Sequence, residues 1–504
     1  MVGFVAVENP HRAIEARIEA GAFEVQVAGD PRPIKTRLES CCSPRGTILR
    51  GRGVSCDSGS LSTDQNIATG QVTSKLARTP DELINDRTRL LGPNVSTFYD
   101  DPVHFVRGEG VWLWDADGRK YLDCYNNVPH VGHCNPRVVE AICRQAGTLN
   151  THTRYLHDGI LDYVERLTGT LAPSLNTAIL TCTGSEANDI ALRMAEAVTG
   201  KRGIIATDAT YHGNTSLVSQ LSRSNVPSVG FGLDQYLRFV EAPDSYRRPD
   251  PEGTCFAAAV AHKIEEMEHD GIGFAALVVC PYFLNEGFPD NPDGWLTATA
   301  ALVRKAGGIL ICDEVQSGFG RTGTHLWAHE KMGVVPEVLT LGKPMANGHP
   351  VGAVVAESDI VGEFRKGYRY FNTFAGNPVS CAAAMAVLEE LELAELIANA
   401  GTVGAYARSR LLALKDKHDV IGDVRGSGLI FGAEMVTHRS TKEPASEFTD
   451  RVINAMRHRG IIHSKLGRYK NTLKIRPPMP FSIANADLLL DTLDEVLSQT
   501  PMHT

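Results

Sequence analysis

Two segments of the chain pair an acid with an amine in a way that suits imine chemistry. Gly308-Ile309-Leu310-Ile311-Cys312 is a continuous apolar run that ends on Asp313-Glu314-Val315-Gln316. Such a run reads as a strand covered on both faces. A carboxylate at the end of a core strand is costly to bury without a partner, and a protonated ring nitrogen is such a partner. Further on, Val338-Leu339-Thr340-Leu341 leads through Gly342 to Lys343 and Pro344. A lysine amine condenses with an aldehyde, and a carboxylate that keeps a pyridine ring protonated makes that ring an electron sink. These two parts are the protein's share of pyridoxal phosphate chemistry. Either residue alone is commonplace, the aspartate as a cap or ion pair and the lysine as a solvated surface group.

The elements that must hold this pair are legible around it. From about residue 138 to 360, short apolar runs alternate with helical patterns. Strands are expected at Ala178 to Cys182, Gly203 to Thr207, Ala275 to Cys280, Gly308 to Cys312, Val338 to Leu341 and Gly352 to Ala356, with helices such as Glu186 to Val198 and Leu296 to Ala306 between them. The alternation predicts an α/β fold with a mainly parallel sheet and helices on both faces. Ligands then belong at the carboxyl ends of the strands. Residues 81–137 open with a helical pattern, Asp81 to Leu91, and continue with a hairpin, Val111 to Trp114 and Lys120 to Asp123, joined through Asp115-Ala116-Asp117-Gly118. Residues 138–385 form the large domain. A long helix is expected from Val379 to about Asn399, and residues 386–504 supply a smaller α+β domain. Residues 1–80 are rich in Arg, Ser, Gly and Thr and are expected to be a disordered extension with one short helix near Ala13 to Ala20.

Other segments at expected strand ends carry groups that bind phosphate or stack on a ring. Thr181-Cys182-Thr183-Gly184-Ser185-Glu186-Ala187-Asn188 stands where a strand meets a helix. Its small residues and the helix N-terminus suit an anion; a plain helix cap by Thr183 or Ser185 explains them equally. Tyr211-His212-Gly213 offers an aromatic face and close backbone approach, or ordinary packing. Phe371-Asn372-Thr373 precedes a helix and offers a hydroxyl, and Leu473-Lys474-Ile475-Arg476-Pro477-Pro478-Met479 carries an arginine whose forked donors suit a carboxylate. An ion pair is the alternative for Arg476.

Taken together and in this order, these segments resemble the class III aminotransferases, fold type I enzymes that use pyridoxal 5'-phosphate, over roughly residues 85 to 497. The resemblance implies a seven-stranded, mainly parallel sheet sandwiched by helices and a small domain built from both ends of the chain. It implies Lys343 as the Schiff-base lysine and Asp313 as the partner of the ring nitrogen, with Val315 packing on the ring and Gln316 reaching the phenolic oxygen. Gly184 and Ser185 would cradle the phosphate, Tyr211 would stack, Thr373 would bind phosphate from the other subunit, and Arg476 would hold a substrate carboxylate. Tyr125, Asn127, Arg154, Tyr155, His157 and His212 are further candidates for the pocket lining, with Asn127, Tyr155 and His212 set beside Arg476 as substrate-binding residues. Asn126 to His133, Thr153 to Asp158, Gly342 to Pro350 and Asn372 to Cys381 are similar to the branch of alanine–glyoxylate aminotransferase 2-like enzymes, some of which are phospho-lyases. Where many class III enzymes carry a glutamate near the substrate, this chain has Cys280-Pro281-Tyr282-Phe283-Leu284-Asn285-Glu286-Gly287. The implied activity moves an amino group from a small amine or amino acid to a 2-oxo acid. The alternatives are phosphate elimination from ethanolamine phosphate or phosphohydroxylysine and, more distantly, non-catalytic cofactor binding. The implied assembly is a homodimer or dimer of dimers.

Composition narrows the partners. The chain has 504 residues, 43% hydrophobic and 22% charged, enough for a large core and two domains. A net charge of −9 and the lack of a basic cluster argue against a nucleic-acid partner. Eleven cysteines lack paired metal-ligand spacing and read as reduced thiols, so no metal is expected. No apolar run approaches the ~20 residues of a membrane helix, and Met1 to Val7 lacks a basic n-region. A cytoplasmic location is the resulting expectation.

Overall fold

The structure, a computed structural model, describes residues 14–19, 22–27, 34–37, 78–93, 95–223 and 234–502. Two compact units are present, residues 1–76 and 77–504. In the first, β1 (Ile14–Glu19), β2 (Ala22–Val27) and β3 (Ile34–Arg37) form an antiparallel meander. The helix expected near Ala13 to Ala20 is therefore a strand. Ile14, Ala16 and Ile18 alternate with Glu15, Arg17 and Glu19, a period of two that suits a pleated surface. The register pairs Glu19 with Ala22, so two residues close the hairpin. The rest of the extension lies outside the described residues.

In the second unit, β4 (Phe105–Glu109), β5 (Trp112–Asp115) and β6 (Lys120–Asp123) precede the central sheet. That sheet contains β7 (Thr177–Thr181), β8 (Gly203–Thr207), β9 (Leu237–Val240), β10 (Phe274–Val279), β11 (Ile309–Asp313), β12 (Val338–Leu341) and β13 (Gly352–Ala356), in the order β7-β13-β12-β11-β10-β8-β9. Only β13 runs against its neighbours, so the other six strands point one way. β8, β10, β11, β12 and β13 are buried along their whole length, as their unbroken apolar runs require. Consecutive β7 and β8 lie on opposite sides of β11, which opens a crevice at the carboxyl ends of the strands.

The small domain joins both ends of the chain. β14 (Ile421–Ser427), β15 (Ile430–Met435), β17 (Ser464–Leu466) and β18 (Thr472–Lys474) form one sheet, while β16 (Ile461–Ile462) pairs in parallel with β6. The expected helix from Val379 to Asn399 is two helices, Pro378–Leu393 and Leu396–Lys417, broken where Glu395 adopts a φ of 47°. The left-handed residue turns the second helix onto β14 and the Ile483–Gln499 helix. No helix among the described residues is long and apolar enough to cross a membrane.

Candidate active site

The aspartate closes β11 and is almost fully buried. Its Oδ2 accepts hydrogen bonds from Asn188 Nδ2 at 2.9 Å and His212 Nδ1 at 2.7 Å, and its Oδ1 accepts the Val315 N–H at 3.0 Å. Asn188 is held in turn: Thr340 Oγ1 donates to its Oδ1 at 2.7 Å, and its Nδ2 also donates to the His212 carbonyl at 2.7 Å. Asp313 is thus pinned from the helix Gly184–Thr199, from the loop after β8 and from β12. Each partner fixes the orientation of the carboxylate at the strand end.

A cavity of ≈ 270 Å³ lies at the strand ends, lined by Gly184, Ser185, Tyr211, His212, Asp313, Val315, Gln316 and Lys343 among others. Lys343 follows β12 directly. Burial lowers its pKa, and the Arg476 guanidinium adds to this while the Asp313 carboxylate opposes it. A lysine so placed reaches its neutral, nucleophilic form below the usual lysine range. Thr183 caps the helix Gly184–Thr199 by accepting the Glu186 N–H at 3.1 Å, and the Glu186 carboxylate accepts the Thr183 and Cys182 N–H groups at 2.9 and 2.8 Å. Cap and cradle therefore coexist, because the capping box faces away from the first-turn N–H groups of Gly184 and Ser185, which have no acceptor one turn back. A Cβ on Gly184 would lie 2.8 Å from Val315 Cγ2, and one on Gly213 would lie 2.6 Å from Ser185 Oγ. Glycine at both positions lets three loops converge on this spot. The residues fit pyridoxal phosphate: a helix N-terminus for its phosphate, an apolar face at Val315, a buried carboxylate and an amine of lowered pKa.

The sequence-derived candidates divide. Gly184, Ser185, Tyr211, Val315, Gln316, Asp313 and Lys343 line one cavity, as expected. His212 corrects the expectation that it binds substrate. Its ring is fully buried, with Nδ1 on Asp313 and Nε2 3.1 Å from Thr210 Oγ1, so it positions the aspartate. Tyr155 is 65% exposed and stacks on His152 at 4.9 Å, away from the cavity of its own chain. Thr373 is also exposed and outside that lining. Asn127 is buried with an unpartnered Nδ2, next to the cavity-lining Val128. Arg476 is buried, donates to Gln316 Oε1, and has Nε and Nη2 3.4 Å from the Tyr125 carbonyl. Burial brings its pKa down to about 10.

Lys474 and Asn188 were missed as site residues. Lys474 is buried at the end of β18, with Nζ 5.6 Å from the Tyr125 ring centre and no carboxylate within ion-pair distance among the described residues. Burial drives its pKa well down, and neighbouring Arg476 and Lys343 add to the effect. Its signal in the sequence was a lysine between Leu473 and Ile475. Cys280, which stands where a glutamate was anticipated, is buried beside these cations as a thiol whose pKa burial raises.

A mainly parallel sheet with a buried lysine and a buried acid at its strand ends is the arrangement of a fold type I pyridoxal phosphate enzyme. The chain belongs to the class III aminotransferases: residues 96–497 match the family described as aminotransferase class-III. It is 38% identical over 431 residues to a Drosophila melanogaster protein named alanine–glyoxylate aminotransferase 2-like, covering 83% of this chain and 87% of that one. It is 35% identical to ethanolamine-phosphate phospho-lyase homolog 1 of Caenorhabditis elegans, with 87% and 96% covered. A solved Arthrobacter phospholyase in complex with phosphoethanolamine superposes with a TM-score of 0.80 at 41% identity, over 83% of this chain and all of that one.

Proposed function

We propose that this class III aminotransferase acts on a small amine that carries an anionic group, with a 2-oxo acid as acceptor, and that it works as a homodimer. Bound pyridoxal phosphate supplies the electron sink. The chain supplies the rest: Asp313 holds a proton at the ring nitrogen, and Lys343 Nζ takes the proton from the carbon next to the substrate nitrogen. The observation that carries the substrate class is the pair Lys474 and Arg476, two buried basic side chains without a carboxylate partner at the end of β18. A substrate anion pairs with both and favours the charged form of each.

A second reading, elimination of phosphate from an amine phosphate, is favoured by one specific feature. Two basic side chains with a neutral thiol at Cys280 suit a dianion better than a monoanion, and a phosphate ester gives both the dianion and a leaving group. The same Lys343 and Asp313 serve both outcomes. Incubating the enzyme with candidate amines in the absence of a 2-oxo acid separates them. Transamination stops after one equivalent of cofactor is converted; elimination turns over repeatedly and releases phosphate.

The dimer is supported by the exposed Phe371, Thr373 and Phe374 loop and by exposed Tyr155, Leu156 and Leu161. Sedimentation of the holoenzyme tests it, and Thr373→Val mixed with Lys343→Ala subunits tests whether sites are shared. A cytoplasmic setting is in keeping with the eight cysteines among the described residues, all free; fractionation of cells tests it.

A further inference from the structure

The segment that carries Arg476 cannot be fastened by its own amides alone. The Arg476 N–H donates to the Cys124 carbonyl and the Met479 N–H to the His130 carbonyl, both at 2.8 Å, so residues 476–479 run beside residues 124–130. Between those two bonds stand Pro477 and Pro478, which have no N–H to donate. Arg321 supplies what they lack. It lies in the loop after β11, is fully buried, and donates Nη1 to the Pro477 carbonyl and, at 3.3 Å, to the Leu429 carbonyl. Its Nη2 donates to His130 Nδ1 at 2.8 Å, and its own carbonyl accepts the Leu429 N–H at 3.0 Å. No acid lies within ion-pair distance of this guanidinium among the described residues, and its Nε is buried without a partner. A buried guanidinium without a carboxylate gains nothing from ion pairing; what it contributes here is the fork.

His130 is arranged to receive that fork. Its Nε2 lies 2.8 Å from the Phe319 carbonyl, which can only accept, and its Nδ1 faces a guanidinium, which can only donate. The ring is therefore the neutral tautomer with its proton on Nε2. Burial holds its pKa well below the usual histidine range, and the Arg321 and Arg476 charges add to this. Beside His130, the Val131 N–H donates to Asn347 Oδ1 at 2.9 Å, and Asn347 Nδ2 donates to the Gly132 carbonyl at 2.8 Å. Asn347 closes the short helix that Lys343 opens. One short segment is thus tied to the lysine's turn and, through Arg321, to the backbone beside Arg476. We propose that Arg321, received by His130, is a positioning residue for anion binding: its fork fixes the Pro477 carbonyl and with it the reach of Arg476 toward the anionic group of the substrate. The proposal rests on the reading that Lys474 and Arg476 meet a substrate anion.

Calorimetric titration of the holoenzyme with inorganic phosphate, and hydrogen exchange at the Arg476 and Met479 amides, test it. Arg321→Met is expected to raise the phosphate dissociation constant about tenfold, the scale of one hydrogen bond to a charged group. Exchange at both amides is expected to speed up about tenfold, while single-turnover reaction with butylamine, which carries no anion, changes less than about twofold. Arg321→Lys keeps the charge but cannot span Pro477 and His130 together, and is expected to lose about fivefold or more in phosphate affinity. His130→Asn, whose Oδ1 can accept from Nη2, is expected to bind phosphate about threefold more tightly than His130→Leu. Wild-type affinity or wild-type exchange in Arg321→Met, full affinity in Arg321→Lys, or an equal loss toward butylamine overturns the proposal. A dissociation constant does not depend on the fraction of enzyme folded; should Arg321→Met fail to fold, the two His130 variants decide, and equal affinities in them overturn it. Failure of the substrate reading is separable. If the unaltered holoenzyme binds no phosphate, or Lys474→Met binds it equally well, that reading falls, while exchange at the Arg476 and Met479 amides still reports the grip of Arg321.

Discussion

Two regions of the candidate site, the strand ends around Asp313 and the end of β18, are built on opposite principles. Around the buried acid the side-chain groups are matched: Asp313 is met by Asn188, His212 and Val315, and Asn188 by Thr340. At the substrate end Lys474 and Arg476 are buried without a carboxylate, and Cys280 contributes no charge. A satisfied network is rigid and holds one geometry. Buried basic groups without a carboxylate gain their partner only from an incoming anion. The cofactor end therefore sets which chemistry is possible, and the substrate end sets which molecule undergoes it.

The largest effect expected is from Lys343→Ala, which removes the amine altogether. Turnover should fall by about 10⁴-fold or more, and borohydride should no longer fix cofactor to the chain; a turnover loss below tenfold would break the distinction between the ends. Asp313→Asn should keep some cofactor yet lower kcat by about 10² to 10³-fold, the scale of losing one preorganised charge. Single-turnover rates with the bound cofactor measure it.

At the other end the signature changes from kcat to KM. Lys474→Met is expected to cut kcat/KM for an anionic amine by about 10- to 100-fold, in line with one charged hydrogen bond, mainly through KM. A neutral amine should be unaffected, and equal losses for both would refute the role of Lys474. A related test uses protons. Burial holds the Lys474 pKa down in the free enzyme, and a bound anion favours its charged form and raises that pKa. Between the two values, binding must take up protons, up to about one per site. Calorimetry with inorganic phosphate in buffers of different ionisation enthalpy reads the sign, and proton release would contradict it. The smallest effect is expected from Asn188→Ala, which leaves the Asp313 and Thr340 contacts unmatched. A stability loss of about 1–3 kcal/mol, seen in thermal melts of the apoenzyme, would accompany it.

Local sequence made most of the cofactor end readable. Gly184, Ser185, Tyr211, Val315, Gln316, Asp313 and Lys343 each stand just past a strand, and a mainly parallel sheet gathers its carboxyl ends. Substrate-end assignments fared worse because they depend on side-chain aim. His212 turned inward to Asp313, Tyr155 lies on the surface of its own chain, and Lys474 stands one strand position pair from Arg476, the residue singled out beforehand. The first strand of the N-terminal meander was read as a helix because six residues of IEARIE satisfy a strand only when Ala22 to Val27 is there to pair with it.

Sequence alone determined six of the seven strands of the central sheet and their order along the chain, which follow from apolar runs, a local property; the acid, the amine and the cofactor followed from residues at strand ends together with the resemblance to class III aminotransferases. Only the tertiary structure decided what surrounds the acid and what is missing around Lys474 and Arg476. Asn188, His212 and Thr340 come from three separate segments, and charge neutralisation is a property of distances in space that no spacing along the chain records.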